Sequence, residues 1–404
     1  MAAALLAPIV LTSCSKDDDK VVEPQADNKL SGSISDSQTL DASVSYLLDG
    51  PLIIEEGGTL TIPAGTTIKA KKGFSSYILV LQGGKINVNG TAEKPVTMTS
   101  NEANPEAGDW GGLIINGKAP LTIDPETGKS QIGSTEINSA FIYGGDSPAD
   151  NSGSITYLIL AYTGARSSAD VEHNGLTLNG VGSGTTIENI YILNGADDGV
   201  EFFGGTVNVT NLLVVNSDDD MFDVTQGWSG TLKNCYGIWE AGYSSTEADP
   251  RGVEADGNHD GNYPNHTRQA NFRIENMTID LRLAPVPADL ATTNPTEFLA
   301  KTMQDVIKIR RGAKATIVNA LVKGTGTAVD IIDMTDSKGA GDPNSAISLT
   351  NALTNPFTGK AVNYNATQLY NAVDAFGDDI SKLKIEAGNA GCPTNIFVWT
   401  GYSF

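Results

Sequence analysis

Positive charge is scarce in this sequence. The 404 residues include 26 Lys and Arg against 48 Asp and Glu, which gives a formal net charge of −22. Because so acidic a chain is repelled by phosphate backbones, we expect no nucleic-acid partner. Charged residues of both signs make up only 18% of the sequence, whereas soluble proteins average about 25%. Hydrophobic residues still reach 40%, so the chain can build a core and is not disordered throughout.

Cysteine and histidine are equally rare. The cysteines are Cys14, Cys235 and Cys392, and neither they nor the three histidines show the spacing of a zinc site or a redox dithiol. The sequence also has no Ser/His/Asp triad order and no phosphate-binding loop. An exported protein could pair Cys235 with Cys392, but we favour two buried free thiols.

The apolar run at the N-terminus is too short to span a bilayer. Its end, Leu11-Thr12-Ser13-Cys14, resembles the lipobox of bacterial lipoproteins, in which cleavage leaves the cysteine as the acylated first residue. The acidic stretch at residues 15–20 resembles the export signal of Bacteroidota lipoproteins on the outer face of the outer membrane. We therefore predict a signal peptide over residues 1–14, a membrane anchor through acylated Cys14, and a flexible acidic tether over residues 15–40. The resemblance implies an outer-membrane protein that faces the cell exterior.

Glycine, in contrast, is abundant, with 44 copies, and it occurs with many Thr, Asn and Asp residues. This composition is typical of short strands joined by tight turns, and it predicts an all-β protein. A repeat makes the prediction more specific. Residues 186–194 recur without a gap at 208–216, and residues 196–202 recur at 218–224, an offset of 22. This period predicts a right-handed parallel β-helix, a single-stranded solenoid, over residues 41–404.

Asparagine recurs at one position of this repeat, with apolar residues on both sides. Asn tolerates the left-handed backbone conformation, and its amide can bind the same Asn one coil away. Tyr157 stands at the equivalent position of an earlier coil. We predict a stacked ladder of six asparagines, which are Asn189, Asn211, Asn234, Asn276, Asn319 and Asn351.

Less regular segments interrupt the coils. Residues 100–110, 120–152 and 240–270 are polar and are predicted to be insertions. Residues 296–304 and 368–383 have helical patterns, and we expect a short helical element near the C-terminus to cap the exposed end of the solenoid.

Three long motifs connect the chain with a known family. The segments 108–120, 174–187 and 197–207 resemble a pectate-lyase-like β-helix family, which is common among lipoproteins and secreted proteins of Bacteroidota and marine bacteria. The resemblance covers about residues 45–240. It implies the β-helix fold and an extracytoplasmic location, but this family has no settled activity.

The repeat also stacks acidic residues. If the offset of 22 is one coil, equivalent carboxylates lie about 4.8 Å apart and cannot all ionise without a cation or a raised pKa. Three interpretations remain open: a bound Ca²⁺, acid–base catalysis on a sugar, and simple turn chemistry. The residues concerned are Asp197, Asp198, Glu201, Asp219, Asp220 and Asp223.

A second candidate calcium loop follows. Asp256, Asn258 and Asp260 form the first half of a D-x-N-x-D-G loop, in which alternating oxygen ligands wrap a hard cation. The twelfth position is Thr267 rather than Glu, so a complete EF-hand is absent. We expect these three residues either to contribute to a calcium site or to form a solvated turn.

Aromatic side chains near these acids are candidates for glycan binding, because the apolar face of a sugar packs on exposed rings. We select Trp228, Trp239 and Tyr243, and expect Trp228, which is flanked by Gly227 and Ser229, to be the most exposed. The basic run 308–311 could act as the base and clamp of a β-helix lyase, but an ion-paired strand exterior is the interpretation we favour.

Two functions therefore compete. The first is a surface lipoprotein whose β-helix binds a glycan or a partner protein, as an accessory to nutrient uptake beside an outer-membrane transporter. The alternative is a polysaccharide lyase or glycosidase that uses the stacked carboxylates. The sequence lacks the histidine–glycine pair and the Arg-x-Lys that β-helix pectinases combine, so we favour the non-enzymatic function and assign no catalytic residue.

Overall fold

A computed structural model describes residues 28–168, 171–287, 289–355 and 358–404. The predicted signal peptide, Cys14 and half of the predicted tether lie outside these residues. Within them the chain forms one large parallel sheet system of short strands, a right-handed parallel β-helix, which confirms the predicted fold class. No helix in the described part of the chain is long and apolar enough to cross a membrane.

The strands follow one another with few helices between them. In chain order they are β1 (Lys29–Ile34), β2 (Ser37–Thr39), β3 (Ser45–Ile54), β4 (Thr59–Pro63), β5 (Thr67–Ala70), β6 (Tyr77–Val80), β7 (Lys85–Asn89), β8 (Val96–Ser100), β9 (Gly112–Asn116), β10 (Gly133–Thr135), β11 (Asn138–Tyr143), β12 (Gly153–Ala161), β13 (Leu176–Asn179), β14 (Thr186–Gly195), β15 (Val200–Phe203), β16 (Asn208–Ser217), β17 (Phe222–Thr225), β18 (Thr231–Trp239), β19 (Arg251–Asp256), β20 (Asn271–Leu281), β21 (Thr302–Arg310), β22 (Lys314–Gly324), β23 (Thr327–Asp333), β24 (Ala346–Leu353), β25 (Val362–Asn363), β26 (Leu369–Tyr370), β27 (Asp374–Ala375) and β28 (Leu383–Ile385). The α-helices are α1 (Leu290–Thr293) and α2 (Pro295–Ala300), and His259–Gly261 and Thr394–Thr400 form 3-10 turns.

Three parallel sheets wrap one apolar column. Sheet A contains β2, β4, β7 and the N-terminal halves of the long strands from β12 to β24. Sheet B contains β5, β8 and the C-terminal halves of the same long strands. Sheet C runs through β6, β9, β13, β15, β17, β19, β21 and β23. Inward-facing side chains of every coil are buried in one continuous cluster, which is the shared core.

The register confirms the 22-residue coil. Thr186 pairs with Asn208, and Val200 pairs with Phe222, each 22 positions on. Later coils are longer because loops intervene, as between Leu232 and its partner Ile274. The stacked acids are therefore neighbours in space, as predicted.

An asparagine ladder marks the bend between sheets A and B. Five of the six predicted members have φ between 54° and 59°, and Tyr157 has φ 51°. Asn189 begins the ladder, and the side-chain amide of each later member donates to the amide oxygen one coil before it at 2.7–2.8 Å, through Asn211, Asn234, Asn276 and Asn319. The sixth member was predicted wrongly. Asn351 pairs with Val322, because β24 is one residue shorter than β22 at the bend.

The N-terminal boundary of the β-helix was also predicted wrongly. β1 and β2 pair with β3 and β4, so the first coil begins at Lys29 rather than at residue 41. Leu30, Ile34 and Leu40 are buried in the common core. Because their apolar side chains are covered by the next coil, these residues belong to the solenoid and not to a tether.

Of the two predicted helices, only the first exists. α2 occupies part of residues 296–304 and ends before β21 begins at Thr302. Residues 368–383 are not helical, because Asn371 and Ala372 have φ of 48° and 56° and turn the chain between β26 and β27. This irregular segment nevertheless buries Phe376 against the core.

Residues 392–404, here called the C-terminal strap, return along the outside of sheet B. Phe397 is fully buried there, and Trp399 lies edge-on to Tyr157 with ring centroids 5.3 Å apart. The strap covers an outward-facing apolar cluster that contains Tyr191, Leu213, Val215, Tyr236 and Ile238. Cys235 and Cys392 are both buried and unpaired, as expected.

Candidate functional site

The outer face of sheet C carries rows of charged side chains, because every second residue of a strand points away from the core. One row follows the strand register from coil to coil, and its members are Thr177, Glu201, Asp223, Glu254, Lys308 and Asp333. A parallel row contains Arg251, Asp305 and Asp330. Acidic and basic residues therefore lie side by side along this face.

The C-terminal part of this face is balanced by internal cations, and we call it the ion-paired region. Lys308 Nζ lies 2.7 Å from Asp333, and Arg310 Nε lies 2.6 Å from Asp256. Arg251 pairs with Glu254. The basic run is thus an ion-paired strand exterior, as we favoured, and it has no free cation to act as a lyase base.

The D-x-N-x-D-G loop belongs to the ion-paired region, and its contacts argue against a calcium site there. Asp256 is held by both Arg310 and Arg311, the latter at 2.5 Å. Asn258 is buried and donates to Gln269 at 2.9 Å. The Asp260 side chain is 62% exposed. Arginine already supplies the positive charge that a cation would bring.

The N-terminal part of the charged face has no such balance. It holds the acidic cluster, defined as Asp197, Asp198, Glu201, Asp219, Asp220 and Asp223. Within the described ranges, no Lys, Arg or His forms an ion pair with any of these six residues. Four of them are less than one tenth exposed, namely Asp198, Glu201, Asp220 and Asp223.

Carboxylate oxygens of the acidic cluster converge. Asp198, Glu201 and Asp223 each offer one oxygen within 4.8 Å of the others, and so do Asp220, Asp223 and Glu254. A third group with the same spacing joins Asp197, Asp198 and Asp219. Glu254 was not selected from the sequence, because its position in the row depends on a coil of irregular length.

Few donors satisfy these oxygens. Asn174 donates to Glu201 at 2.6 Å, and the backbone N–H of Asp220 donates to Asp198 Oδ1 at 2.9 Å. Asp223 Oδ1 accepts from the N–H of Val224. Asp220 Oδ1 is buried and has no hydrogen-bond partner among the described residues.

Burial, with the neighbouring carboxylates as a second cause, raises the pKa of Asp198, Glu201 and Asp223 well above the ordinary value. The same two causes raise the pKa of Asp220 and bring that of Asp219 to about 7. The protein alone therefore cannot keep the acidic cluster fully ionised at neutral pH.

Two of the three predicted glycan-binding rings are in the core. Trp228 is fully buried and stacks on Phe202, with ring centroids 4.0 Å apart, while its indole N–H donates to a backbone carbonyl. Trp239 is also fully buried. Both predictions are wrong, because the glycine and serine beside Trp228 indicate a tight turn and not exposure, and Trp239 is a strand residue whose ring lies in the core. Tyr243 alone is partly exposed.

Tyr243 forms one wall of a cleft of about 290 Å³. Its hydroxyl donates to Ser217 O at 3.0 Å and to Asp218 Oδ1 at 3.1 Å, which fixes the ring. The opposite wall is apolar and contains Leu283, Pro285, Val286, Pro287 and Leu290. Glu297 and Lys301, paired at 2.6 Å, lie at the rim. No sequence motif indicates this cleft, because its walls come from segments that lie about 40 or more positions apart in the chain.

Comparison with known proteins agrees with this architecture. The chain matches the sequence model of a pectate-lyase-like beta helix domain over residues 32–402. This protein belongs to the pectate-lyase-like β-helix family. The match extends well beyond residues 45–240, where the motifs were found. No curated protein and no solved structure matches the chain significantly. Membership of the pectate-lyase-like family supports a role related to glycans in broad terms only, because one fold hosts many functions.

In this pectate-lyase-like protein the acidic cluster is poorly suited to glycoside chemistry. Two catalytic carboxyls normally stand about 5–9.5 Å apart, with the sugar between them. Here Glu201 and Asp223 share a side-chain hydrogen bond, so the two carboxyls are in direct contact. Both are buried, so no sugar ring fits between them.

Proposed function

We propose that this protein is a non-catalytic glycan-binding β-helix that a lipid on Cys14 anchors at the exterior of the outer membrane. The cleft beside Tyr243 carries the glycan-binding part of the proposal. A sugar ring has an apolar face, which suits the Tyr243 ring and the two prolines, and polar edges, which suit Glu297 and Lys301 at the rim.

The size of the cleft limits its ligand. A volume of about 290 Å³ is at the lower end of ligand pockets. It suits one or two sugar residues, such as the end of a chain or a side branch. Long-chain occupancy along the solenoid would need further exposed rings, and the structure buries Trp228 and Trp239.

Binding of the purified protein to a panel of soluble polysaccharides tests the proposal. For a polysaccharide that binds, Tyr243→Ala should lower the affinity at least about tenfold, a loss of about 1.4 kcal/mol. Tyr243→Phe keeps the ring and should retain most of the binding. Tyr263→Ala is the matched control, because Tyr263 is also partly exposed but lies outside the cleft.

Two results would contradict this function. Equal affinities of the wild type and Tyr243→Ala would remove the cleft as the binding site. Release of unsaturated or reducing sugar ends from any polysaccharide would favour the alternative, a lyase or glycosidase. The lipid anchor and a role beside a nutrient transporter stay predictions from the N-terminal sequence.

A further inference from the structure

We propose that the acidic cluster binds a divalent cation that prefers oxygen ligands, with Ca²⁺ as the best fit, at Asp223, on which Asp198 and Glu201 converge from one side and Asp220 from the other. This site is separate from the Tyr243 cleft and does not depend on glycan binding. Its role would be to hold two successive coils of sheet C together.

Carboxylates in one row of side chains on sheet C differ in whether a basic side chain lies against them. In the ion-paired region, the carboxylates of the row lie against Arg251, Lys308 or Arg310. One and two coils earlier, the same row continues with Asp223 and Glu201, and no described basic side chain pairs with either. Several buried carboxylates without a counter-charge are costly. A cation from solution would take the place that arginine and lysine fill further along.

A buried carboxylate oxygen of Asp220 also lacks a hydrogen-bond partner, which is an observation separate from the missing ion pairs. Asp220 is only 3% exposed, and its Oδ1 has no hydrogen-bond partner among the described residues. One of its carboxylate oxygens lies within 4.8 Å of oxygens of Asp223 and Glu254. A buried acceptor without a donor costs about 1–3 kcal/mol, and more when it is charged. A bound cation would satisfy this oxygen.

Geometry and ligand type select the cation. Oxygens on opposite sides of a calcium ion are about 4.6–5.2 Å apart, since Ca²⁺ binds oxygen at about 2.3–2.6 Å. The oxygens of each group span at most 4.8 Å, which suits one such ion. Magnesium needs a smaller and strictly octahedral site. No His or Cys is present in these groups, so zinc is disfavoured.

The test uses the full chain and measures calcium binding directly by equilibrium dialysis, together with thermal unfolding in calcium and in chelator. We expect saturable binding and a melting temperature several degrees higher in calcium, because a ligand that binds only the folded state stabilises it. Magnesium should have a much smaller effect. Asp198→Asn combined with Asp220→Asn should abolish both the binding and the shift.

Asp280→Asn is the matched control. It removes a buried carboxylate that lies outside every convergent group and that Arg282 and Lys323 already balance, so calcium binding should be unchanged. Circular dichroism establishes that both variants are folded. Absence of calcium binding by the wild type, with identical melting curves in calcium and chelator, would overturn the proposal and leave protons as the neutralising species. Glycan affinity, measured separately, would be unaffected by that failure.

Discussion

At the scale of single residues, the ring of His173 is buried and forms no ion pair with any residue that the structure describes. It is 1% exposed, packs against Phe74 with ring centroids 4.7 Å apart, and its Nε2 lies 3.0 Å from Phe74 O. Burial lowers the pKa of His173 to about 4, against 6.5 for a free histidine. The unfolded chain therefore binds this proton more tightly than the folded protein, and stability falls as the pH drops from about 6.5 towards 4.

A substitution isolates this contribution. His173→Gln can still donate a hydrogen bond but does not titrate in this range. Between about pH 7.5 and pH 5 the wild type should lose about 2 kcal/mol more unfolding free energy than the variant. Urea unfolding at the two pH values measures the difference. If the unfolding free energies of both proteins fall equally with pH, then the folded protein binds the His173 proton as well as the unfolded chain does, which contradicts the prediction.

Asn211 lies in the middle of the asparagine ladder, with neighbours at 2.8 Å on both sides. Asn211→Leu should lower the unfolding free energy by about 1–3 kcal/mol, because it leaves two amide partners unpaired and forces a branched side chain into φ 59°. Asn211→Gly is the control that keeps the backbone relaxed but removes the amide, and its loss should be smaller. Chemical denaturation of the wild type and the two variants measures the three unfolding free energies. A change below about 0.3 kcal/mol for Leu would contradict a role for the ladder.

Residue positions that depend on the repeat could be predicted from the sequence, and those that depend on distant segments could not. The asparagine bends and the stacked acids follow from one ungapped offset. The burial of Trp228 depends on Phe272, which a long insertion separates from it in sequence. In the same way, the local motif around Asp256 predicts a calcium ligand, whereas in the fold Arg310, which is 54 positions away, pairs with this carboxylate.

At the scale of elements, the C-terminal strap is held mainly by Phe397. Phe397→Ala should destabilise the protein by about 3–5 kcal/mol, because it empties a fully buried site against sheet B. Val398→Ala is the matched control, since Val398 is 76% exposed and its loss should cost little. Thermal unfolding of both variants provides the comparison. Equal melting temperatures would mean that the strap does not pack in solution.

The coils were predicted better than the segments that close them. Alternating apolar residues identify strands locally, so the sheets follow from the sequence. The strap has no repeat of its own, and Tyr402 contacts Glu240, 162 positions earlier. The misassigned helix at 368–383 has the same cause, since positive φ at Asn371 and Ala372 is set by packing at the end of the solenoid.

At the scale of the whole molecule, the sequence predicts that a lipid on Cys14 anchors the β-helix to a membrane. Cys14→Ala should move the protein from the membrane fraction to a soluble or unprocessed form, because the thiol that accepts the lipid is lost. Immunoblots of cell fractions measure this, with Cys392→Ala as the control, since that thiol is buried in the strap. Retention of the Cys14 variant in the membrane would refute the lipoprotein assignment.

The strap also affects the order in which the chain folds during synthesis. Its residues leave the ribosome long after the strands that they cover, as the separation of Tyr402 from Glu240 shows. The coils can stack as they emerge, yet the apolar outer face of sheet B stays open to water until the strap arrives. A chain interrupted before Cys392 would carry every coil of sheet B but expose Leu213 and Tyr236, and so attract proteases. The strap thus covers an apolar surface that the coils alone leave exposed.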